Sequence, residues 1–267
     1  AKKSLSAIIN IDSSLAETEE ELINVIEGVK NITYRPKNIQ IINGIELSAK
    51  VDVGTMHILG YDIDLDNKEL NSKLETIRTN RMNYTLAVME QIRRDYGITF
   101  SYSDIINLVN SRYVGRPGLA KLCVKYGFSD SISDAFNNFL NPAKEKTRKY
   151  CKNLYYPEVF KLVKDAGGIV ILAHPKTLRL LNDDLDKLLF IMKSYGLDGI
   201  EVYNSIHTEK DVNYYKFLAE KNELLVSGGT DYHGPLVKPD LEIGTGYGNI
   251  KIRHLSLVDE LKRRGTL

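Results

Sequence analysis

The chain has 267 residues, of which 43% are hydrophobic and 27% are charged, and its formal net charge at pH 7 is +1. This length and apolar content suit one large core, or a core with an inserted subdomain, and exclude disorder as the dominant state. The near-zero charge excludes a strong field that would attract long nucleic acid or an acidic membrane surface, but it is compatible with a small phosphorylated substrate or a short oligonucleotide.

Targeting signals are not expected in this sequence. No apolar run approaches the roughly 20 residues that span a bilayer, and the start, Ala1-Lys2-Lys3-Ser4, is not followed by a long apolar region. Cys123 and Cys151 lie far apart and match no metal-binding spacing, so they are expected to be reduced thiols. These features favour a cytoplasmic protein without a membrane partner.

The first predicted elements are two strands, at 39–47 (IQIINGIEL) and 56–63 (MHILGYDI), both rich in β-branched and aliphatic residues. Residues 65–155 then show helical periodicity with little strand signal. The helices expected in this segment lie at 70–96, 103–110, 116–126 and 131–139. We therefore expect an inserted helical subdomain at 65–155.

From residue 156 onward, strands alternate with helices. Strands are predicted at 168–173, 199–203 and 224–228, and helices at 156–166, 183–195 and 208–221. This alternation is typical of a parallel sheet or barrel. The expected fold class is therefore α/β, with 1–64 and 156–267 forming the main domain.

Several polar side chains fall at the ends or edges of these predicted strands, where loops of an α/β fold converge on an active site. His174 follows IVILA, His57 opens HILGY, and Glu46 lies near the end of IINGIEL. Asp231 and His233 are two residues apart, so both can face one cation. Nitrogen and oxygen ligands without thiolates suit Zn, Mn or Fe, which activate water and neutralise phosphate charge.

Five strings occur in an order and spacing that resemble the PHP (polymerase and histidinol phosphatase) family. They are GIELS at 44–48, HILGYDID at 57–64, ILAHP at 171–175, DGIEVYNSIH at 198–207 and SGGTDYHG at 227–234. RTNRMNY at 78–84 and VGRPGLAKLCV at 114–124 resemble the helical insertion of the branch that acts on nucleotide or oligoribonucleotide phosphates.

The resemblance implies a distorted (β/α)7 TIM-like barrel that binds two or three divalent metal ions (Mn, Fe or Zn) and hydrolyses phosphate esters through a metal-bound hydroxide. The positions that correspond to the family's metal ligands are Glu46, His57, His174, Asp231 and His233. Arg116, in the GRP string, is a candidate phosphate contact, with a surface salt bridge as the alternative. His207 is a candidate substrate-binding or catalytic acid residue, with a solvent-facing helix start as the alternative.

The sequence departs from the family pattern before His57. The family's H-x-H and D-H-D strings are missing, and no histidine precedes His57. Asp12, followed by EEEL at 19–22, aligns with a family aspartate ligand, and the two missing histidines would fall at Leu5 and Ala7. Either the chain is a degenerate member with a weakened metal cluster, or the sequence omits residues that the protein contains.

Three functions are therefore compared. The leading hypothesis is a metal-dependent phosphoesterase acting on a nucleotide or on the phosphate end of a short oligonucleotide. The alternatives are a histidinol-phosphate phosphatase and a catalytically degenerate ligand-binding module.

Overall fold

The computed structural model describes residues 42–110, 115–232, 240–252 and 254–267, without the side chains of 109, 110 and 182. The described residues form two compact units. The sheet unit comprises 42–71 and Leu154–Leu267, and the helical unit comprises Ser72–Asn153.

The strands of the described residues form one sheet, in the order of the chain. They are β1 (Gly44–Ala49), β2 (Met56–Tyr61), β3 (Ile169–Leu172), β4 (Gly199–Tyr203) and β5 (Leu225–Gly228). β2 is antiparallel to both β1 and β3, whereas β3, β4 and β5 are parallel. The sheet is therefore mixed rather than fully parallel, because the connection at 50–55 is long enough for a hairpin but too short for a crossover.

Apart from Asn141–Thr147 and Ser256–Arg263, for which no helix was predicted, the described helices lie close to the predicted positions. They are α1 (Lys68–Tyr96), α2 (Tyr102–Asn110), α3 (Arg116–Lys125), α4 (Ile132–Ala135), α5 (Asn141–Thr147), α6 (Tyr156–Asp165), α7 (Asn182–Ser194), α8 (Glu209–Lys221) and α9 (Ser256–Arg263). A 3₁₀ turn, Pro175–Leu178, follows β3.

Helices cover the apolar residues of the sheet. Leu257 and Leu261 of α9 are fully buried in one cluster with Leu59 and Ile171 of the sheet. A Cβ at Gly60 would lie 2.9 Å from a methyl group of Val163, so the glycine permits close approach between β2 and α6. This packing buries residues of both β2 and β3.

The helical unit has a core of its own, in which Val88, Ile92, Leu119 and Cys123 are buried. The single helix expected at 131–139 is instead α4 followed by a π-helical turn, Phe136–Leu140, which leads into α5. Pro142 has no N–H to donate, which is a physical reason for the change of hydrogen-bond register before it. The sequence did not predict α5.

Both cysteines are free. Among the helices that the structure describes, none combines the length and apolar character needed to cross a bilayer.

Candidate metal centre

The first two site residues come from the β1–β2 hairpin. Glu46 lies opposite Leu59, and His57 lies opposite Ser48. Because side chains alternate between the faces of a sheet, Glu46 and His57 share one face as diagonal neighbours. Glu46 lies inside β1 rather than at its end as expected, since the strand continues to Ala49.

His174 reaches the same place from the end of β3. The Ala173 N–H donates to the His57 carbonyl at 3.0 Å, so the chain continues alongside β2 for one residue beyond the strand. His174 then turns out of the sheet with a φ of 23°, a left-handed conformation rare for a residue other than glycine. The antiparallel pairing explains the site, because β2 begins where β3 ends.

The structure thus brings together one carboxylate and two imidazoles. His57 Nδ1 lies 2.7 Å from Glu46 Oε1 and 3.2 Å from His174 Nε2, and His174 Nε2 lies 3.3 Å from Glu46 Oε1. Ligand atoms that share an ion at about 2.1 Å are separated by about 3.0–3.4 Å in ordinary coordination geometries. The donor chemistry and two of the three separations therefore fit a divalent metal ion, while the 2.7 Å separation is that of a hydrogen bond.

Electrostatics favour the carboxylate form of Glu46 and the protonated form of His174. Burial alone would raise the pKa of Glu46, but hydrogen bonds from His174 and His57 hold it well below its ordinary value. Burial alone would lower the pKa of His174, but the hydrogen bond with Glu46 and the nearby Glu201, Glu46 and Asp231 raise it. A metal ion that binds His174 must displace a proton from its ring, so binding is linked to pH.

Glu201, on β4, is a site residue that the sequence reasoning did not assign. Its Oε2 accepts the backbone N–H of His174 at 2.7 Å and the side-chain amide of Asn204 at 3.0 Å. Burial raises the pKa of Glu201 to about 7. The sequence feature that could have identified Glu201 is a carboxylate within the apolar string GIEVY. This string forms β4, which is buried at every position.

His207 lies in the turn after β4 and is only 4% exposed. Its Nδ1 donates to the Val202 carbonyl at 2.9 Å, while Nε2 is buried and has no partner among the described residues. Burial lowers the pKa of His207 to about 4, so the ring is neutral at neutral pH. The solvent-facing alternative for His207 is wrong, and Nε2 carries the lone pair of the neutral ring because Nδ1 holds the hydrogen.

Three predicted ligands are not part of the described cluster. Asp231 has a φ of 53° and is not among the ligand atoms that lie within 4.8 Å of one another. Its negative charge nevertheless raises the pKa values of His174 and Glu201. Asp12 and His233 lie outside the described residues.

Arg116 belongs to the helical unit, at the start of α3. Its Nη1 donates to Asn141 Oδ1 at 3.3 Å, and its guanidinium lies 5.5 Å from the centre of the Phe136 ring. Burial lowers the pKa of Arg116. No carboxylate among the described residues forms an ion pair with it.

Comparisons with known proteins point to one chemistry. No family model matches the chain. A 3′,5′-nucleoside bisphosphate phosphatase of Chromobacterium violaceum is 24% identical over 202 residues, covering 74% of this chain and 70% of that protein. A 5′-3′ exoribonuclease of Haemophilus influenzae is 24% identical over 204 residues, covering 76% of this chain and 73% of that protein.

A solved structure from Bifidobacterium adolescentis, described as a metal-dependent phosphoesterase, matches with a TM-score of 0.69 and 28% identity. The match covers 93% of this chain and 83% of that one. These likenesses agree with the motif strings and with the cluster of Glu46, His57 and His174. The chain is therefore similar to metal-dependent phosphoesterases, and its motif strings resemble those of the PHP family.

Proposed function

We propose that this phosphoesterase releases phosphate from a nucleotide or from the phosphate end of a short oligonucleotide. The observation that carries the proposal is the cluster of Glu46, His57 and His174, whose donor atoms lie 2.7–3.3 Å apart. The relatives support the substrate class, since one is named a nucleoside bisphosphate phosphatase and another an exoribonuclease. The net charge of +1 supports a small substrate rather than long nucleic acid.

The metal site is proposed to hold two or three ions of Mn, Fe or Zn. Its proposed ligands are Asp12, Glu46, His57, His174, Asp231 and His233. A divalent ion bound there supplies positive charge against the phosphate oxygens and activates a water molecule. The described residues alone offer three donors, enough for one ion with positions left for water and substrate.

His207 is proposed to contact the substrate. Its Nδ1–H is committed to the Val202 carbonyl, so the lone pair of Nε2 is available to accept a hydrogen bond or a proton. Lys176 steadies this turn by donating to the Ile206 carbonyl at 3.1 Å and to Asp211 at 2.7 Å. The neutral ring suits an acceptor of a hydrogen bond from the substrate or from a water molecule beside it.

Arg116 is proposed to bind a phosphate group of the substrate. A guanidinium that is partly desolvated and has no carboxylate partner among the described residues is suited to a bidentate contact with phosphate.

We also propose a (β/α)7 barrel at 1–64 and 156–267 with an insertion at 65–155, in a cytoplasmic protein. The match over 93% of the chain and the separate helical unit support this arrangement.

The test is phosphate release by the purified protein after separate loading with Mn²⁺, Fe²⁺ and Zn²⁺. The substrates are a 3′,5′-bisphosphonucleoside, a 5′-phosphorylated oligoribonucleotide and histidinol phosphate. We expect His174→Asn to lower kcat/KM at least 100-fold. Asparagine removes the imidazole but tolerates the positive φ at this position, so the fold is retained.

Each other outcome contradicts a defined part of the proposal. Preference for histidinol phosphate would replace the nucleotide assignment with that alternative. Absence of both metal and turnover in correctly folded protein would favour the degenerate module. Unchanged turnover in His174→Asn would rule out the role of His174 in the metal centre.

A further inference from the structure

The two ring nitrogens of His174 face different surroundings. Nε2 points to the other two members of the candidate metal centre, 3.3 Å from Glu46 Oε1 and 3.2 Å from His57 Nδ1. Nδ1 lies 3.1 Å from the hydroxyl oxygen of Thr177, in the 3₁₀ turn that follows. A neutral imidazole carries one hydrogen, so a hydrogen held on Nδ1 leaves the lone pair on Nε2.

The hydroxyl hydrogen of Thr177 has better partners than the ring. The hydroxyl lies 2.8 Å from the Thr55 carbonyl and 3.0 Å from the His174 carbonyl. Carbonyl oxygens only accept, so the single hydroxyl hydrogen of Thr177 is directed to the Thr55 carbonyl or shared between the two carbonyls. Its oxygen therefore presents a lone pair to the ring, and Nδ1 must carry the hydrogen of the contact.

The backbone holds this hydroxyl in place. The Thr177 N–H donates to the His174 carbonyl at 3.0 Å, and the Thr55 N–H donates to the Thr177 carbonyl at 2.9 Å. Gly54 adopts a φ of 73°, and a Cβ there would lie 2.4 Å from the Thr177 carbonyl oxygen. The glycine therefore allows the backbone at Gly54 and Thr55 to lie directly against the backbone of Thr177.

We propose that Thr177 is a positioning residue that fixes His174 in the tautomer with its hydrogen on Nδ1 and its lone pair on Nε2. Such a tautomer presents the lone pair to a metal ion, and a hydrogen bond to the other ring nitrogen orients the ligand and raises its basicity. The inference rests on the proposed role of His174 as a ligand. It adds a residue that lies outside the motif strings.

The first measurement is the tautomer of His174, from ¹H–¹⁵N correlations of the ring nitrogens in metal-free protein at about pH 9, where imidazoles are neutral. The chain has five histidines, and His174→Asn identifies the signal. We expect the hydrogen on Nδ1 in the wild type and in Thr177→Ser, which keeps the hydroxyl. We expect a shift toward Nε2–H in Thr177→Val.

The second measurement is the Kd for Mn²⁺ by calorimetry. Thr177→Val should bind about ten-fold more weakly and Thr177→Ser almost normally. Thr55→Val is the matched control, since Thr55 contributes backbone atoms to the described hydrogen bonds, and it should alter neither property.

A wild-type tautomer with its hydrogen on Nε2 would overturn the inference. So would a Thr177→Val protein whose tautomer or Mn²⁺ affinity equals that of the wild type. The spectra of the wild type and Thr177→Ser decide the tautomer even if Thr177→Val does not fold. A wild type that binds no Mn²⁺ contradicts the proposed function instead, and the tautomer measurement separates the two failures.

Discussion

At the residue scale, the defining feature is a carboxyl group inside an apolar strand. Glu201 is 4% exposed, and both contacts of its Oε2 are with donors in the turns that follow β3 and β4. A buried carboxyl without such donors would be strongly unfavourable. Glu201 therefore ties the backbone of His174, with its positive φ, to the adjacent strand.

Glu201→Ala should lower the free energy of unfolding by about 2 kcal/mol or more, because it leaves the buried N–H of His174 without an acceptor. Glu201→Gln keeps an amide oxygen in nearly the same position and should cost less. Urea unfolding of the metal-free proteins measures both values. Equal losses in the two variants would mean that the hydrogen bond to His174 contributes little to stability.

At the element scale, the turn before β2 and the 3₁₀ turn after β3 close on each other through Gly54. Gly54→Ala should destabilise the protein by more than the roughly 1 kcal/mol that a positive φ costs alanine, because the new methyl group meets backbone atoms of Thr177 and Leu178. Gly167→Ala is the matched control, since its φ is 79° and no atom lies within 4 Å of its Cβ position.

Thermal unfolding of the two alanine variants gives the comparison. Gly54→Ala should also weaken Mn²⁺ binding, whereas Gly167→Ala should not. Similar melting temperatures for both variants would show that the turn relaxes around the methyl group without loss.

The start of α8 makes a contribution to stability that depends on pH. Asp211 accepts from the Thr208 N–H at 2.8 Å in a capping box and binds Lys176. Burial alone would raise the pKa of Asp211, but the hydrogen bonds from Lys176 and Thr208 lower it to about 2. Because the folded pKa lies below the unfolded value, the stabilisation is present above about pH 4 and is lost as pH falls toward 2.

Asp211→Asn should therefore cost about 1–2 kcal/mol at pH 6 and progressively less below pH 4. Urea unfolding at pH 6 and at pH 3, with wild type and variant in parallel, measures the difference. A cost that does not change with pH would show that the carboxylate charge makes no contribution.

At the scale of the whole molecule, the three donors of the described cluster all come from the sheet unit. A metal ion at a free concentration of 100 times its Kd should add about 2.7 kcal/mol to the free energy of unfolding of the state that binds it. Removing the ion with a chelator should increase hydrogen exchange in β1, β2 and Pro175–Leu178. The core of the helical unit, Ser72–Asn153, should exchange at an unchanged rate.

Hydrogen exchange followed by mass spectrometry, with and without Mn²⁺, tests this expectation in the intact protein. Glu46→Gln is the control, since loss of a charged ligand should remove the difference between the two conditions. Equal protection of both units by Mn²⁺ would place the metal's effect beyond the sheet unit.

The sequence by itself determined the α/β class, the helical segment between two groups of strands, and the grouping of Glu46, His57 and His174. These features depend on periodicity and on polar residues within or beside apolar strands, and both are local properties. The strand at 199–203 was predicted with the bounds that the structure has.

Only the tertiary structure decided how β2 pairs, what Glu201 and Thr177 contact, and that His207 is buried and neutral. Strand direction depends on pairing between distant segments, which side-chain periodicity does not report. The tautomer of His174 depends on a hydroxyl in the following turn and on a carbonyl more than a hundred residues earlier. Protonation and hydrogen-bond direction follow from burial and partners, and those exist only once the chain has folded.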